Sequence, residues 1–299
     1  MALLRLASGP AGARSQVVID PQAGAAIVAY RSDYRGGLMQ WLQPADKVHP
    51  ACFAMVPFCS RIANGRFSFA GKEITLAASL PGEEVPIHGH GLHQNWQVEA
   101  LTGDAAVLSY DHEPGDWPWA YRCEQAVSLH TDQLRISLTL FNLSASPMPY
   151  GMGLHPYFPK HQGIHVTADV VSHLRLDKAG LPVGLEPVPP ALQLQDGLHL
   201  TNQVLDNVFY RWRHVTRIQW PGLPHSLRLE ASANCHHLVI WAPPGESFCC
   251  VEPVSNLPDG FNQAKTLPDA FATLLPDEHC TMTFTFTPDP HQRLRLKRA

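Results

Sequence analysis

The chain has 299 residues, with 22 Lys and Arg against 26 Asp and Glu, and only 16% of its residues are charged. The resulting net charge of −4 excludes a typical nucleic-acid binder, which needs a basic excess to neutralise phosphates. The hydrophobic content of 45% supplies a large core and excludes an acidic disordered chain. The 17 His are an unusually high count, which makes histidine chemistry a candidate for function.

Short segments in which apolar and polar residues alternate dominate the chain. This period of two is typical of half-buried β-strands. In residues 134–140, Leu and Ile alternate with Arg, Ser and Thr, and in residues 281–287 Met and Phe alternate with Thr. In chain order, the predicted strands are 15–19, 25–30, 96–100, 106–110, 121–129, 134–140, 164–168, 207–212, 217–220, 226–230, 237–241, 248–252 and 281–287.

Turn-forming dipeptides such as Asp-Gly, Pro-Gly and Asn-Gly separate these strands, and few windows have helical spacing. One apolar face per strand is what stacked sheets require, so the pattern predicts an all-β fold, a large antiparallel β-sandwich. No linker or fixed-period repeat divides the chain, and we expect a single domain over 1–299. The Pro-rich segment 181–190 is interpreted as a surface loop.

The cysteines and the N-terminal segment bear on location. No CxxC pair occurs among the seven cysteines, which argues against a zinc ribbon or a thioredoxin-like site. Reduced, mostly buried thiols are typical of a reducing compartment. The apolar start is interrupted by Arg5 and Pro10, and no segment approaches the roughly 18 apolar residues of a membrane span. We expect a cytoplasmic protein without a membrane partner.

Arg61 precedes an Asn64-Gly65 turn. A hairpin at this turn can direct the guanidinium into a cleft, although a solvated arginine on a surface hairpin is an equally ordinary arrangement.

His88, His90 and His93 form a second candidate, a Gly-rich loop. If this segment is a strand, His88 and His90 share a face, as in some cupin-like metal sites. The run to Trp96 contains no carboxylate, so the ligand set is incomplete. The alternatives are histidines bonded to backbone, or one histidine that faces a ligand as a donor.

Two further positions combine a titratable group with a following proline. His155 precedes Pro156, which holds it extended, and Glu252 ends an apolar strand before Pro253. A glutamate in such a strand must be paired or face a ligand, because burying it alone is costly. A glutamate beside a histidine can serve as a base–acid pair, although each position alone is also consistent with a structural role.

Taken in order, these motifs resemble the aldose 1-epimerase (galactose mutarotase) family, with a similarity that runs from about residue 15 to residue 288. The motifs that carry the resemblance are Ser60-Arg61…Gly65-Arg66-Phe67, Ile87-His88-Gly89…Trp96, His155-Pro156-Tyr157-Phe158, Leu205-Asp206-Asn207-Val208-Phe209 and Val251-Glu252-Pro253.

The match has departures. Ser60 stands where the family usually has Asn, His90 where Gly often follows the His-Gly pair, and Pro156 where Ser or Thr is common. The His-Pro-Tyr-Phe form is similar to a bacterial subset of mutarotase-like proteins. These departures bear on sugar preference more than on chemistry.

The resemblance implies a galactose mutarotase-like supersandwich and an isomerase that interconverts the anomers of a free aldose. Glu252 is the implied base for the C1 hydroxyl and sets the acid limb of the pH profile. His155 is the implied acid for the ring oxygen and sets the alkaline limb. Arg61, His88 and Asp206 are the implied sugar-binding residues. One of three aromatic residues stacks on the sugar: Trp96, Trp241 or Tyr157.

The resemblance implies no metal and no organic cofactor. The expected partner is a small-molecule aldose, and the expected state is a monomer or homodimer.

Three alternatives remain at this point. A hexose-6-phosphate mutarotase needs extra basic residues at the cleft, for which Arg31, Arg35 and Arg66 are candidates. A non-catalytic sugar-binding module of the same fold does not need an acid–base pair. A metal-dependent cupin-like enzyme needs the three loop histidines to converge.

Overall fold

The computed structural model describes residues 2–10, 14–34, 37–79, 84–161, 163–223 and 225–290. The regular secondary structure of this part of the chain is almost entirely β-strand, and all thirteen predicted strands overlap observed ones. The strands are β1 Leu4–Ser8, β2 Ser15–Asp20, β3 Ala26–Tyr34, β4 Gly37–Gln40, β5 Cys52–Met55, β6 Arg66–Phe69, β7 Lys72–Thr75, β8 Gln97–Leu101, β9 Ala105–His112, β10 Tyr121–His130, β11 Gln133–Asn142, β12 Met148–Tyr150, β13 Gly153–Pro159, β14 His165–Ala168, β15 Ser172–Leu176, β16 Pro182–Glu186, β17 Leu198–His199, β18 Leu205–Tyr210, β19 Val215–Gln219, β20 His225–Ala231, β21 His237–Ala242, β22 Phe248–Val254, β23 Ala272–Leu274 and β24 His279–Pro290.

Helical structure in the described residues is limited to single turns. They are α1 Gly260–Gln263 and the 3-10 turns Ala63–Gly65, Gly91–His93 and Pro190–Leu192. The interpretation of 181–190 as a loop is wrong in part, because β16 lies within it and pairs antiparallel with β15. Its prolines and glycine conceal the strand in the sequence.

The strands form two large sheets. One has 11 strands in the order β1-β2-β3-β5-β13-β22-β21-β18-β15-β16, with β4 paired to β3. The other has 9 strands in the order β17-β14-β19-β20-β24-β11-β10-β9-β8. Two small two-stranded sheets, β12–β23 and the β6–β7 hairpin, complete the β-structure of the described residues. Neighbouring strands pair antiparallel, which confirms the predicted fold class.

The main core lies between the two large sheets. The predicted apolar face of residues 134–140 is fully buried there, and β11 lies against β24 with Ile136 opposite Phe284. Side chains also bond across the layers, since Gln125 Nε2 donates to the carbonyl of Ala25 at 2.7 Å. This packing confirms a sandwich, because each sheet buries one face against the other.

The opposite face of the 11-stranded sheet carries a second, smaller apolar cluster. Alternation along a strand divides β22 between the two faces: Cys249 and Val251 enter the main core, whereas Cys250 and Val254 join the smaller cluster. Glu252 has the same parity as Cys250, so its side chain lies on the second face. The centre of this face, on β5, β13, β22, β21 and β18, is where a large cavity opens.

All seven cysteines are free, and six are buried, as the sequence predicted. No helix in the described ranges has the length and apolarity to cross a bilayer.

Candidate active site

His155 and Glu252 meet on the floor of this cavity. Gly153 lies opposite Val254, and Tyr157 lies opposite Cys250, so the register of β13 and β22 brings the two side chains level. The distance from Nε2 of His155 to Oε1 of Glu252 is 3.3 Å, and the two side chains are only 7% and 3% exposed. Two distant motifs thus form one buried acid–base contact.

Aromatic side chains fix the plane of the His155 ring. Phe53 lies on the neighbouring strand β5 directly opposite His155 and stacks on it, with centroids 4.7 Å apart at 15°. Tyr157 packs against the ring at 4.7 Å, and Trp241 meets it edge-on at 6.1 Å. Phe53 was not predicted from the sequence as a site residue, because its place beside His155 depends on strand pairing.

Arg61 and Asp206 lie on the cavity wall, with Nη1 of Arg61 4.0 Å from Oδ2 of Asp206. The Asp259 backbone N–H donates to the Arg61 carbonyl, and Asp259 Oδ1 accepts the Ala63 N–H at 2.9 Å. Asn64-Gly65 forms a 3-10 turn that leads into the β6–β7 hairpin. The turn and its buried aspartate therefore direct Arg61 into the cavity.

His88 lines the cavity next to His155, and their rings meet edge-on at 5.2 Å. Its φ is +60°, and Gly89 follows at +68°, so the chain reverses sharply at this point. A side chain at position 89 would collide with the Val56 carbonyl, since a Cβ would lie 2.1 Å from its oxygen. His88 Nδ1 accepts the Ser60 backbone N–H at 3.2 Å, which leaves the proton on Nε2 as a donor.

His90 lies on the other side of this loop. Its ring stacks on His112 at 4.7 Å, and its Nδ1 lies 3.2 Å from the Tyr121 hydroxyl. The expectation that His88 and His90 share a strand face is wrong, because a left-handed turn and a 3-10 turn replace the strand. His88, His90 and His93 do not converge among the described residues, so the cupin-like alternative loses its ligand set.

The cavity has a volume of about 570 Å³, within the range of small-molecule sites. Tyr157 and Trp241 line it, whereas Trp96 is buried in the main core with its Nε1 bonded to the Gly91 carbonyl. Trp96 is thereby excluded as the stacking residue. Lys47 and His49 form part of the mouth. Neither residue was predicted to lie at the site, because no sequence motif marks this segment.

Burial controls the ionisation of the acid–base pair. It raises the pKa of Glu252 well above the usual range, Asp206 adds to the rise, and Arg61 opposes it. It also lowers the pKa of His155 to about 3. In this environment the pair favours a neutral form whose single proton is on Glu252. The implied state, an ionised glutamate with a protonated histidine, is the less favoured arrangement of that proton.

His88 is also held neutral, because burial lowers its pKa well below the usual range, and His155 and Arg61 add to the effect. It presents a neutral N–H donor to the cavity.

The sequence model of the protein family described as aldose 1-epimerase matches residues 11–287 of this chain. The chain belongs to the aldose 1-epimerase family. A relative named uncharacterized protein YphB, from Escherichia coli K12, is 29% identical over 218 residues, 70% of this chain and 74% of its own.

Solved structures of family-like proteins share the fold. A crystal structure of a protein from Escherichia coli K12, provisionally described as an aldose 1-epimerase, superposes with a TM-score of 0.85 at 24% identity and covers 97% of this chain and 100% of its own. That of a galactose 1-epimerase from Lactobacillus acidophilus gives a TM-score of 0.76 at 16% identity over 97% and 95%. The galactose mutarotase-like fold is therefore shown for this member of the family.

Proposed function

We propose that this protein is an aldose 1-epimerase that interconverts the α and β anomers of a free aldose. The observation that carries the proposal is the buried contact of 3.3 Å between His155 and Glu252 on the cavity floor. Holding a sugar does not require such a pair. Opening the sugar ring does, because one oxygen must lose a proton while another gains one.

In the proposed reaction Glu252 removes the proton of the C1 hydroxyl and His155 protonates the ring oxygen. The C1–O5 bond breaks and the C1 oxygen becomes the carbonyl of the open-chain aldehyde. Rotation about C1–C2, followed by reclosure with the proton roles reversed, gives the other anomer. The pair carries one proton throughout, and its transfer from Glu252 to His155 along their contact prepares the reactive form.

The cavity wall supplies the remaining roles. Asp206 accepts hydrogen bonds from sugar hydroxyls, and the Nε2–H of His88 donates to the ring oxygen as negative charge develops there. Arg61 offsets the same charge, and its position near Asp206 keeps the wall close to neutral. Trp241 or Tyr157 offers an apolar ring to the sugar face. Positioning and proton transfer together account for the rate in this scheme, without a metal ion or organic cofactor.

We further propose that residues 1–299 act as a single domain in the cytoplasm. The family match over residues 11–287 and the shared core between the sheets support one domain. Seven free thiols support a reducing compartment.

The test is polarimetry of freshly dissolved α-glucose and α-galactose. We expect Glu252→Gln and His155→Asn each to lower kcat by about 10²- to 10⁴-fold, the usual contribution of a proton-transfer group. His173→Asn is the matched control, since His173 is buried on β15 but does not line the cavity. A folded Glu252→Gln or His155→Asn protein with near wild-type rate contradicts the assignment, and calorimetric sugar binding without any rate favours a non-catalytic module.

A phosphorylated aldose is the second candidate substrate, because Lys47 lies at the cavity mouth. Arg31 instead bonds Gln16 on β2, and Arg66 pairs with Glu73 away from the cavity. Arg35 lies outside the described residues. A higher kcat/KM for glucose 6-phosphate than for glucose, reduced in Lys47→Met, identifies the phosphorylated substrate.

A further inference from the structure

A thiol lies beside the acid–base pair. Cys250 precedes Glu252 by two residues on β22, so both side chains project from the same face of the sheet. The ligand atoms of His155, Cys250 and Glu252 all lie within 4.8 Å of one another, and all three residues are buried. Nitrogen, sulfur and oxygen donors from two paired strands thus converge at the cavity floor, which His155 and Glu252 line and beside which Cys250 is fully buried.

This donor set matches the preferences of zinc. Imidazole, thiolate and carboxylate are its usual protein ligands, whereas calcium and magnesium take oxygen almost exclusively. Zinc–ligand bonds of about 2.0–2.3 Å in a tetrahedron require ligand atoms about 3.3–3.8 Å apart. The 3.3 Å separation of His155 and Glu252 already meets this requirement, and the cavity leaves room for water at a fourth position.

Charge balance also favours a divalent cation at this position. A thiolate and a carboxylate bring two negative charges, so the complex with Zn²⁺ and a neutral imidazole is uncharged. Each of these anions alone is costly to bury, and a shared dication offsets both.

We propose that His155, Cys250 and Glu252 form an inhibitory zinc site on the cavity floor. Zinc there occupies the lone pairs of the two groups that move protons, so metal and sugar exclude each other. The site is a means of suppressing the enzyme when free zinc rises, distinct from a catalytic metal centre. Its inhibitory effect rests on the proposed function, but its existence does not.

The binding test uses Co²⁺ as the probe with the reduced full-length protein. Cobalt bound to a thiolate in a four-coordinate site gives a sulfur-to-cobalt charge-transfer band and intense visible bands. We expect one equivalent to give both, Zn²⁺ to abolish them, and Cys250→Ala to lack the charge-transfer band. Cys249→Ala is the matched control, because this neighbouring thiol enters the main core. Absence of the band in the wild type, or its retention in Cys250→Ala, overturns the proposal.

The inhibition test compares each variant with its own uninhibited mutarotation rate. We expect the zinc concentration for half-inhibition to rise at least about tenfold in Cys250→Ala and to be unchanged in Cys249→Ala, and added sugar to protect the wild type. Equal inhibition of both variants overturns the inhibitory role. If the wild type shows the cobalt bands but no mutarotation, the proposed function fails and the zinc site stands.

Discussion

Ser60 and His88 hold each other through two reciprocal hydrogen bonds. The Ser60 N–H donates to His88 Nδ1 at 3.2 Å, and the His88 N–H donates to the Ser60 carbonyl at 3.2 Å. Both residues adopt left-handed backbone conformations, with φ of +59° for Ser60 and +60° for His88. This arrangement fixes the tautomer of His88, so that the Nε2–H is available as a donor in the cavity.

His88→Asn removes this donor. We expect kcat for mutarotation to fall by about 10²- to 10³-fold, the usual cost of losing one donor to a developing oxyanion. His90→Asn is the matched control, since His90 faces away from the cavity floor and packs on His112. Polarimetry of both variants checks the prediction, and an equal loss in the two contradicts a donor role for His88.

The pH profile of kcat/KM follows from one proton shared by two groups. In the proposed reaction the pair titrates as a unit, and its active form carries a single proton. Acid adds a second proton at His155, whose pKa is lowered to about 3, and alkali removes the shared proton from Glu252, whose pKa is raised. We therefore expect a level rate between pH 4.5 and 6.5, the ordinary pKa values of the two groups.

This assignment reverses the expectation from the family resemblance, which gave the acid limb to Glu252 and the alkaline limb to His155. Stopped polarimetry in overlapping buffers measures the profile. A bell whose maximum lies between pH 4.5 and 6.5, with kcat/KM falling towards both values, would show that the groups titrate as if they were solvated.

Glu252→Gln is expected to raise stability while it lowers kcat. The folded pKa of Glu252 lies above its unfolded value, so folding takes up a proton and stability falls as pH rises from 4.5 through the folded pKa. Each unit of this pKa rise costs about 1.4 kcal/mol. At pH 7.5 the substitution by glutamine removes this cost. At pH 4 the glutamate is largely protonated in both the folded and the unfolded state, so there is no such cost to remove.

Urea unfolding of wild type and Glu252→Gln at these two pH values measures the difference in the free energy of unfolding. Glu186→Gln controls for loss of an exposed glutamate, which pairs with Arg175 on the surface. A gain that is the same at both pH values contradicts ionisation as its cause.

Asn256 positions the segment that carries Arg61. Its buried amide accepts the Cys59 N–H at 2.8 Å and donates to the carbonyls of Cys59 and Leu257 at 3.0 Å each. Asn256→Ala leaves these groups without their partner, at about 1–3 kcal/mol of unfolding free energy for each buried polar group. We also expect a higher KM for the sugar. Exposed Asn202→Ala is the control. Unchanged stability in Asn256→Ala contradicts this role.

Strands were predicted most accurately from the sequence where one face of the strand is buried and the other is exposed. Residues 134–140 alternate clearly, and β11 buries the predicted side chains. Strands β5 and β13 were not predicted: all their residues are buried, so neither shows alternation, and β13 also contains Pro156 and Pro159. β13 nevertheless carries His155, so the motif identified a residue whose strand the pattern did not reveal.

The sequence motifs named the five candidate site residues, but they did not predict the side chains that pack around them. The five residues from the resemblance all line one cavity, as the ordered motifs implied. The contributions of Phe53 and Cys250 depend on which strands pair, and no local signal at 53 or 250 encodes that. His88 and His90 point in opposite directions because the backbone makes a left-handed turn between them. The spacing of the two histidines in the sequence does not distinguish this turn from a strand.

The cavity floor is made of strands whose reverse side is the main core, whereas the loop that carries Lys47 and His49 forms part of its mouth. The acid–base pair and this part of the mouth are therefore built on separate parts of the molecule. Loops at the mouth can be lengthened, exchanged or recharged while the strands keep the geometry of His155 and Glu252. Any change to the floor must also satisfy the core beneath it, so new substrates are more accessible to this scaffold than new reactions.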